Sequence, residues 1–149
     1  AEWRRARRAH APLALAIADV DHFKAYNDAC GHQAGDACLQ AVAATLSTVA
    51  HRAGDLVARY GGEEFAIILP GLDAEQAQAF AEAMRRAVEL RALPHPTSPG
   101  AAVVTASLGV ASIIASRGDT PATLVHETDL ALYRAKSKGR NRVESAGVD

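Results

Sequence analysis

Between residues 56 and 70 the chain reads LVARYGGEEFAIILP, two apolar runs on either side of Gly61-Gly62. A glycine pair between such runs signals a β-hairpin. Glycine accepts the positive φ angles of a tight turn and leaves the backbone open to an approaching group. Glu63 and Glu64 follow the turn at once and lead into residues 65–69, which read as an almost wholly buried strand. Adjacent carboxylates at a crowded hairpin tip repel one another unless a cation lies nearby. The hairpin therefore calls for a fold with an antiparallel pair near its centre. It leaves two readings for the acids: solvated turn residues, or part of a cation site.

Composition narrows the classes. With 149 residues the chain is long enough for one domain with its own core. A net charge of −1 gives no basic field of the kind that binds nucleic acid. No run approaches the ~18 apolar residues of a membrane span, so no direct membrane insertion is expected. The opening AEWRRARRAH is not a signal peptide. Cys30 and Cys38 form neither a disulfide framework nor a metal cluster, which points to reduced thiols and a cytoplasmic location. The six histidines have no ligand spacing, so no zinc site is expected.

Taken in order, residues 1–10 are helix-prone and rich in arginine, and they read as the end of a connecting helix from a longer protein. Residues 13–18, LALAIA, predict a buried strand that ends on Asp19-Val20-Asp21. An acid there is notable because open α/β sheets place ligands at strand ends. A short helix is expected over 22–28. A longer one opens at Gln33 or Asp36 and runs to about 50, with Leu39, Val42, Leu46 and Val49 on one stripe. Asp73 and Gln76 have capping-box spacing ahead of a helix whose apolar face is Ala77, Phe80, Met84 and Val88. Three prolines and a glycine make 91–100 a loop, and 101–114 a strand in which Gly109 marks a bulge or a close backbone approach. Thr120-Pro121 starts a last helix with a break expected near Thr128-Asp129 and a stop at Gly139, and 141–144 adds a short edge strand. The order βααββαβαβ is that of an α/β sandwich with a central, mainly antiparallel sheet flanked by helices.

In such a fold the end of the first strand and the hairpin tip can meet. Asp19, Glu63, Glu64 and the Val20 carbonyl then offer hard oxygen ligands for Mg²⁺, with Mn²⁺ as the alternative. Lys24, Lys136 and Arg140 suit phosphate oxygens. Asn27 and Asp36 suit a base edge, Asp36 accepting from an exocyclic amine and a ring N–H. Singly these residues are helix ends, caps and solvated cations. Together they match the needs of a nucleoside triphosphate.

Five ordered motifs now carry a resemblance: DVDHFKAYND at 19–28, GHQAGD at 31–36, RYGGEEF at 59–65, SLGVA at 107–111 and ALYRAKSKGRNRV at 131–143. They resemble the successive motifs of the GGDEF domains, the diguanylate cyclases, from about residue 13 to residue 143. The resemblance implies a fold similar to the palm of nucleotide cyclases and polymerases. It also implies condensation of two GTP into cyclic di-GMP and two pyrophosphates by a symmetric homodimer. It assigns the metals to Asp19, the Val20 carbonyl and Glu63, with Glu63 also the base and Glu64 in support. It gives the triphosphate to Lys24, Lys136 and Arg140, guanine to Asn27 and Asp36, and includes Phe23 in the substrate pocket. Lys24 counts with Glu63 in the catalytic set.

Arg52-Ala53-Gly54-Asp55 lies nine residues before Gly61, where the family has its product-inhibition site, so the resemblance makes Arg52 and Asp55 an allosteric site for cyclic di-GMP. From the residues alone this is equally a surface ion pair. The family's N-terminal Asp-x-Leu-Thr-x-Leu-x-Asn-Arg element is absent. The expected division is therefore 1–12 as linker helix, 13–145 as catalytic domain and 146–149 as tail, with a sensory or regulatory domain upstream. A product sensor without activity and a cyclase for another base are the competing readings.

Overall fold

The structure, a computed structural model, describes residues 1–115 and 119–146. The expected tail of 146–149 lies outside the described residues except for Ala146. The elements run α1 (Glu2–Ala9), β1 (Pro12–Val20), α2 (Phe23–Cys30), α3 (His32–Val49), β2 (Leu56–Arg59), β3 (Glu64–Pro70), α4 (Ala74–Leu90), β4 (Ala106–Ile114), α5 (Pro121–Ser137) and β5 (Val143–Ser145). Among them the five strands form one sheet in the order β2-β3-β1-β4-β5. Every pairing is antiparallel except β4 with β5, so the sheet is mixed and mainly antiparallel.

β1 is the central strand because both of its faces are apolar. Leu13, Leu15 and Ile17 point to one side, with Ala111, Leu124 and Leu132. Ala14, Ala16, Ala18 and Val20 point to the other, with residues of α3 and α4. The alanine row lets α4 lie close, and Ala77, Ala81, Met84 and Val88 fill that space as its buried stripe. Helices thus cover both faces: α2, α3 and α4 on one, α1 and α5 on the other. α1 is no free tail, since its Ala6 is buried and its Trp3 packs against the second cluster.

Local expectations hold with instructive exceptions. Asp73 and Gln76 form the capping box. Gly109 faces Ile17 in an unbroken register, so it is a close approach and not a bulge. A Cβ there would run into the backbone of α5 at Leu132 N and Thr128 O. α5 does not break at 128–129: Thr128 is fully buried and its hydroxyl donates back to Leu124 O at 2.7 Å. α3 begins earlier than expected, at His32, straight after Gly31 at φ 90°. β4 begins later, at Ala106, because the preceding segment makes only the isolated bridge Pro94–Val103.

The hairpin is wider than a two-residue turn. Its connection spans 60–63, with the Tyr60 and Gly61 N–H groups donating to Glu64 O at 2.8 and 3.4 Å. Neither Gly61 nor Gly62 has a positive φ. What glycine provides at 62 is open space, for a Cβ there would meet nothing within 4 Å. β3 is also only half as buried as expected. Phe65, Ile67 and Leu69 are in the core, while Ala66 and Ile68 face a groove beside α1.

Candidate active site

β1 delivers Asp19 to the sheet edge, where the register sets it opposite Glu64 of β3 and Ser107 of β4. The next residue ties the hairpin tip in place: Val20 N–H donates to Glu63 O at 3.2 Å. The chain then leaves the sheet through His22, at φ 53°, into α2. Register therefore brings Asp19, Glu63 and Glu64 together, as expected. Lys136, near the end of α5, completes the group with its Nζ 2.5 Å from Asp19 Oδ2.

Negative charge is in surplus here. Burial raises the proton affinity of Glu63, the Asp19 charge raises it further, and Lys136 and Arg140 offset part of this. Glu64 is raised as well, by burial first and then by the charge of Asp19 and a hydrogen bond with it. Such a set of hard carboxyl oxygens suits a divalent cation. Among the described residues no three His, Cys, Asp or Glu side chains form a group able to hold a metal by themselves. Asp19 Oδ2 accepts from the Lys136 ammonium, which offsets part of the negative charge.

A cleft of about 500 Å³ opens beside these acids. Asp19, Val20 and Glu63 form its acidic wall, Phe23 and Lys24 come from α2, and Lys136 and Arg140 face them. The volume is ordinary for a small-molecule site. Glu64 does not line it but lies opposite Asp19 in the sheet. Asn27 and Asp36 also lie outside this lining, at the corner between α2 and α3. Gly35 makes that corner possible: a Cβ there would collide with Asn27 Oδ1 and crowd Phe23. Asn27 Oδ1 is buried with no hydrogen-bond partner among the described residues, and Asp36, next to Gly35 in sequence, is exposed.

Arg52 and Asp55 sit apart from the cleft, before β2. Arg52 Nε and NH2 donate to the two Asp55 oxygens at 3.1 and 2.7 Å. NH2 also reaches Pro70 O at 3.1 Å, and the guanidinium lies 5.2 Å from the Phe80 ring centre. The Asp55 side chain is fully buried, whereas Arg52 keeps 37% exposure. The ion pair of the plainer reading is therefore present, but half-buried rather than on the surface.

Sequence reasoning missed Asp21, His22, Asp28, His95 and Asn141. His22 and Asp28 line the cleft. His95 is buried and meets His22 O through Nε2 at 3.0 Å, fixing the left-handed entry to α2. Asp21 is 3% exposed and accepts from Thr105 Oγ1, Ser107 Oγ and Asn141 N. Its only signal was the DVD spacing at the strand end.

Comparison with known proteins agrees with this geometry. The profile described as "Diguanylate cyclase, GGDEF domain" matches residues 1–142. The diguanylate cyclase VdcA of Vibrio cholerae serotype O1 is 42% identical over 132 residues, 88% of this chain and 38% of that protein. The response regulator PleD of Caulobacter vibrioides is 40% identical over 134 residues, 89% of this chain and 29% of that protein. The GGDEF domain of DgcB from Caulobacter crescentus, solved in complex with c-di-GMP, has a TM-score of 0.86 at 34% identity, covering 99% of this chain and 85% of that one. The active GGEEF domain of a diguanylate cyclase from Vibrio cholerae has a TM-score of 0.83 at 34% identity, covering 99% and 91%.

Proposed function

The chain belongs to the GGDEF family of diguanylate cyclases, and on that premise we propose that it condenses two GTP into cyclic di-GMP as a symmetric homodimer. The observation that carries the reading is the meeting of Asp19 and Glu63 with Lys136 and Arg140 around one cleft, with Glu64 paired opposite Asp19 behind it. Each 3′-hydroxyl attacks the α-phosphorus of the facing GTP. A new P–O bond forms, the bond to the β-phosphate bridge breaks, and pyrophosphate leaves.

Asp19, Glu63 and the Val20 carbonyl would hold Mg²⁺ or Mn²⁺, supported by Glu64 through Asp19. Bound there, the metal supplies positive charge to the phosphates and lowers the pKa of the attacking hydroxyl. Glu63 takes the hydroxyl proton. Its raised affinity for protons brings it nearer to neutral pH, as a general base requires. Lys136, Arg140 and Lys24 neutralise the triphosphate. Phe23, between the cleft and the Gly35 corner, leaves the guanine to Asn27 and Asp36. The unpartnered Asn27 Oδ1 supports this placement, since a buried acceptor gains most from a donor brought by a ligand.

Base selectivity tests the substrate. Asp36→Ala should weaken GTP roughly 5- to 150-fold, the cost of leaving a guanine donor edge unpaired, while ATP binding is unchanged. The check is competition between the two nucleotides. Equal loss for both would reduce Asp36 to a helix-end residue.

Feedback is the second part of the proposal. The outward edge of Arg52 offers cyclic di-GMP a guanidinium already oriented by Asp55 and Phe80. Arg52→Ala should leave the initial rate intact and relieve inhibition by accumulated product. Calorimetry with cyclic di-GMP checks this, and unchanged affinity would leave the pair a structural ion pair only. A sensory or regulatory domain in the same protein would set when two catalytic domains meet.

A further inference from the structure

In the turn after α5, unlike anywhere else among the described residues, three consecutive residues have positive φ. Gly139, Arg140 and Asn141 follow one another at φ 122°, 68° and 46°. Side-chain-bearing residues seldom adopt such angles, and two in succession persist only where the surroundings hold them. Asn141 supplies that hold with its backbone N–H and both ends of its side-chain amide. Its backbone N–H donates to the buried Asp21 Oδ2 at 3.0 Å and to Ser107 Oγ at 3.1 Å. Its side-chain Oδ1 accepts from Arg85 NH1 at 2.9 Å, and its Nδ2 donates to Glu89 Oε2 at 2.9 Å. Arg85 is itself fixed between Glu82 and Glu89 on α4. Arg140, next in the chain, lines the cleft, and its guanidinium makes no hydrogen bond or ion pair among the described residues.

We propose that Asn141 is a positioning residue. Anchored to Asp21 on one side and to the Arg85–Glu89 pair on the other, it holds Arg140 in the left-handed backbone that delivers the guanidinium to the substrate phosphates. The bonds serve no pairing of strands or helices: they join the residue after β1, Ser107 of β4, the C-terminal part of α4 and the turn beside the cleft. Glycine at 140 and 141 would adopt these angles freely, but glycine would neither carry the charge nor fix its direction. The proposal rests on Arg140 being a triphosphate ligand.

A double-mutant cycle separates the two claims. Arg140→Ala, Asn141→Ala and the double variant are compared by KM for GTP, kcat and melting temperature. Arg140→Ala should raise KM about tenfold or more, the scale of losing a hydrogen bond to a charged group. Asn141→Ala should raise KM nearly as far, and the double variant should be no worse than Arg140→Ala alone. Asn141→Gly keeps the backbone angles accessible and removes the side-chain anchors, so it should also raise KM while melting close to wild type. That variant decides the question if Asn141→Ala folds poorly. If Arg140→Ala leaves KM unchanged, the phosphate role of Arg140 is wrong and positioning falls with it. If Arg140→Ala raises KM but the Asn141 effects multiply with it, or Asn141→Gly leaves KM at the wild-type value, positioning alone is overturned.

Discussion

Glu63→Gln should all but abolish synthesis of cyclic di-GMP and, in the same molecule, raise the melting temperature of the ligand-free protein. The amide keeps the size of the side chain but loses the charge that would hold a cation and the basicity that would take the hydroxyl proton. A loss of at least ~10²-fold in rate is the scale of removing one preorganised electrostatic group. The stability gain follows from the sign of the Glu63 shift. Burial, then the Asp19 charge, lifts its folded proton affinity above the unfolded value. The ionised form therefore weighs against folding. That penalty is absent at acid pH, grows as pH rises through the ordinary carboxylate range, and is complete above the raised folded pKa. Glutamine never bears it. The two proteins should melt together in acid and separate towards neutral pH, with the variant higher. A variant that melts below wild type at neutral pH would show that the surplus charge is not there. Near wild-type turnover would show that Glu63 is neither base nor ligand.

Specific activity should fall in proportion to protein concentration across a ~100-fold dilution series below the dimer dissociation constant. Each chain presents one cleft with one set of acids and cations. On the proposed reaction, cyclic di-GMP needs two new phosphodiester bonds, made where two clefts face each other. Rate then follows the square of concentration when pairs are rare. A parallel coiled coil fused ahead of Ala1 should restore activity at the dilute end by holding two domains at an effective concentration in the ~mM range. Flat specific activity across the series would mean that one chain completes the reaction, or that it dimerises tightly unaided.

The parts of this site that could be read from sequence are those set by strand ends. Asp19 closes an apolar run and Glu63-Glu64 opens one, so any antiparallel pairing of the two brings the acids together, as the Asp19–Glu64 register does. Helix stripes were equally plain: Leu39, Val42 and Leu46 are buried on α3, and Ala77, Met84 and Val88 on α4. Phe80 left its stripe half-buried because it lies under Arg52, a contact that helical period does not encode.

Distance along the chain hid the rest. Lys136 meets Asp19 from 117 residues away, and Asn141 meets Asp21 from 120. Asp19 and Lys136 each stood out locally, but no local pattern pairs either residue with its partner. Glycine misled in a different way. Gly61-Gly62 predicted positive φ, yet the turn closes through Glu64 O and through Arg59 NH2 on Gly62 O at 2.7 Å. The pair is there for open space, which sequence does not distinguish from turn geometry. β3 read as wholly buried because Ala66 and Ile68 are apolar. They border a groove of about 670 Å³ with Trp3 and Leu56, where α1 and α5 leave the sheet face partly uncovered.

On the proposed function, the site at the β1 and β3 tips joins two GTP molecules through two phosphodiester bonds. The most direct test is product analysis with the coiled-coil-fused chain, GTP and Mg²⁺, measuring nucleotide products by mass and pyrophosphate by amount. The account predicts cyclic di-GMP with two pyrophosphates for each molecule formed, and neither product from the Glu63→Gln variant. GTP returned unchanged, or one pyrophosphate for each cyclic mononucleotide, would contradict it.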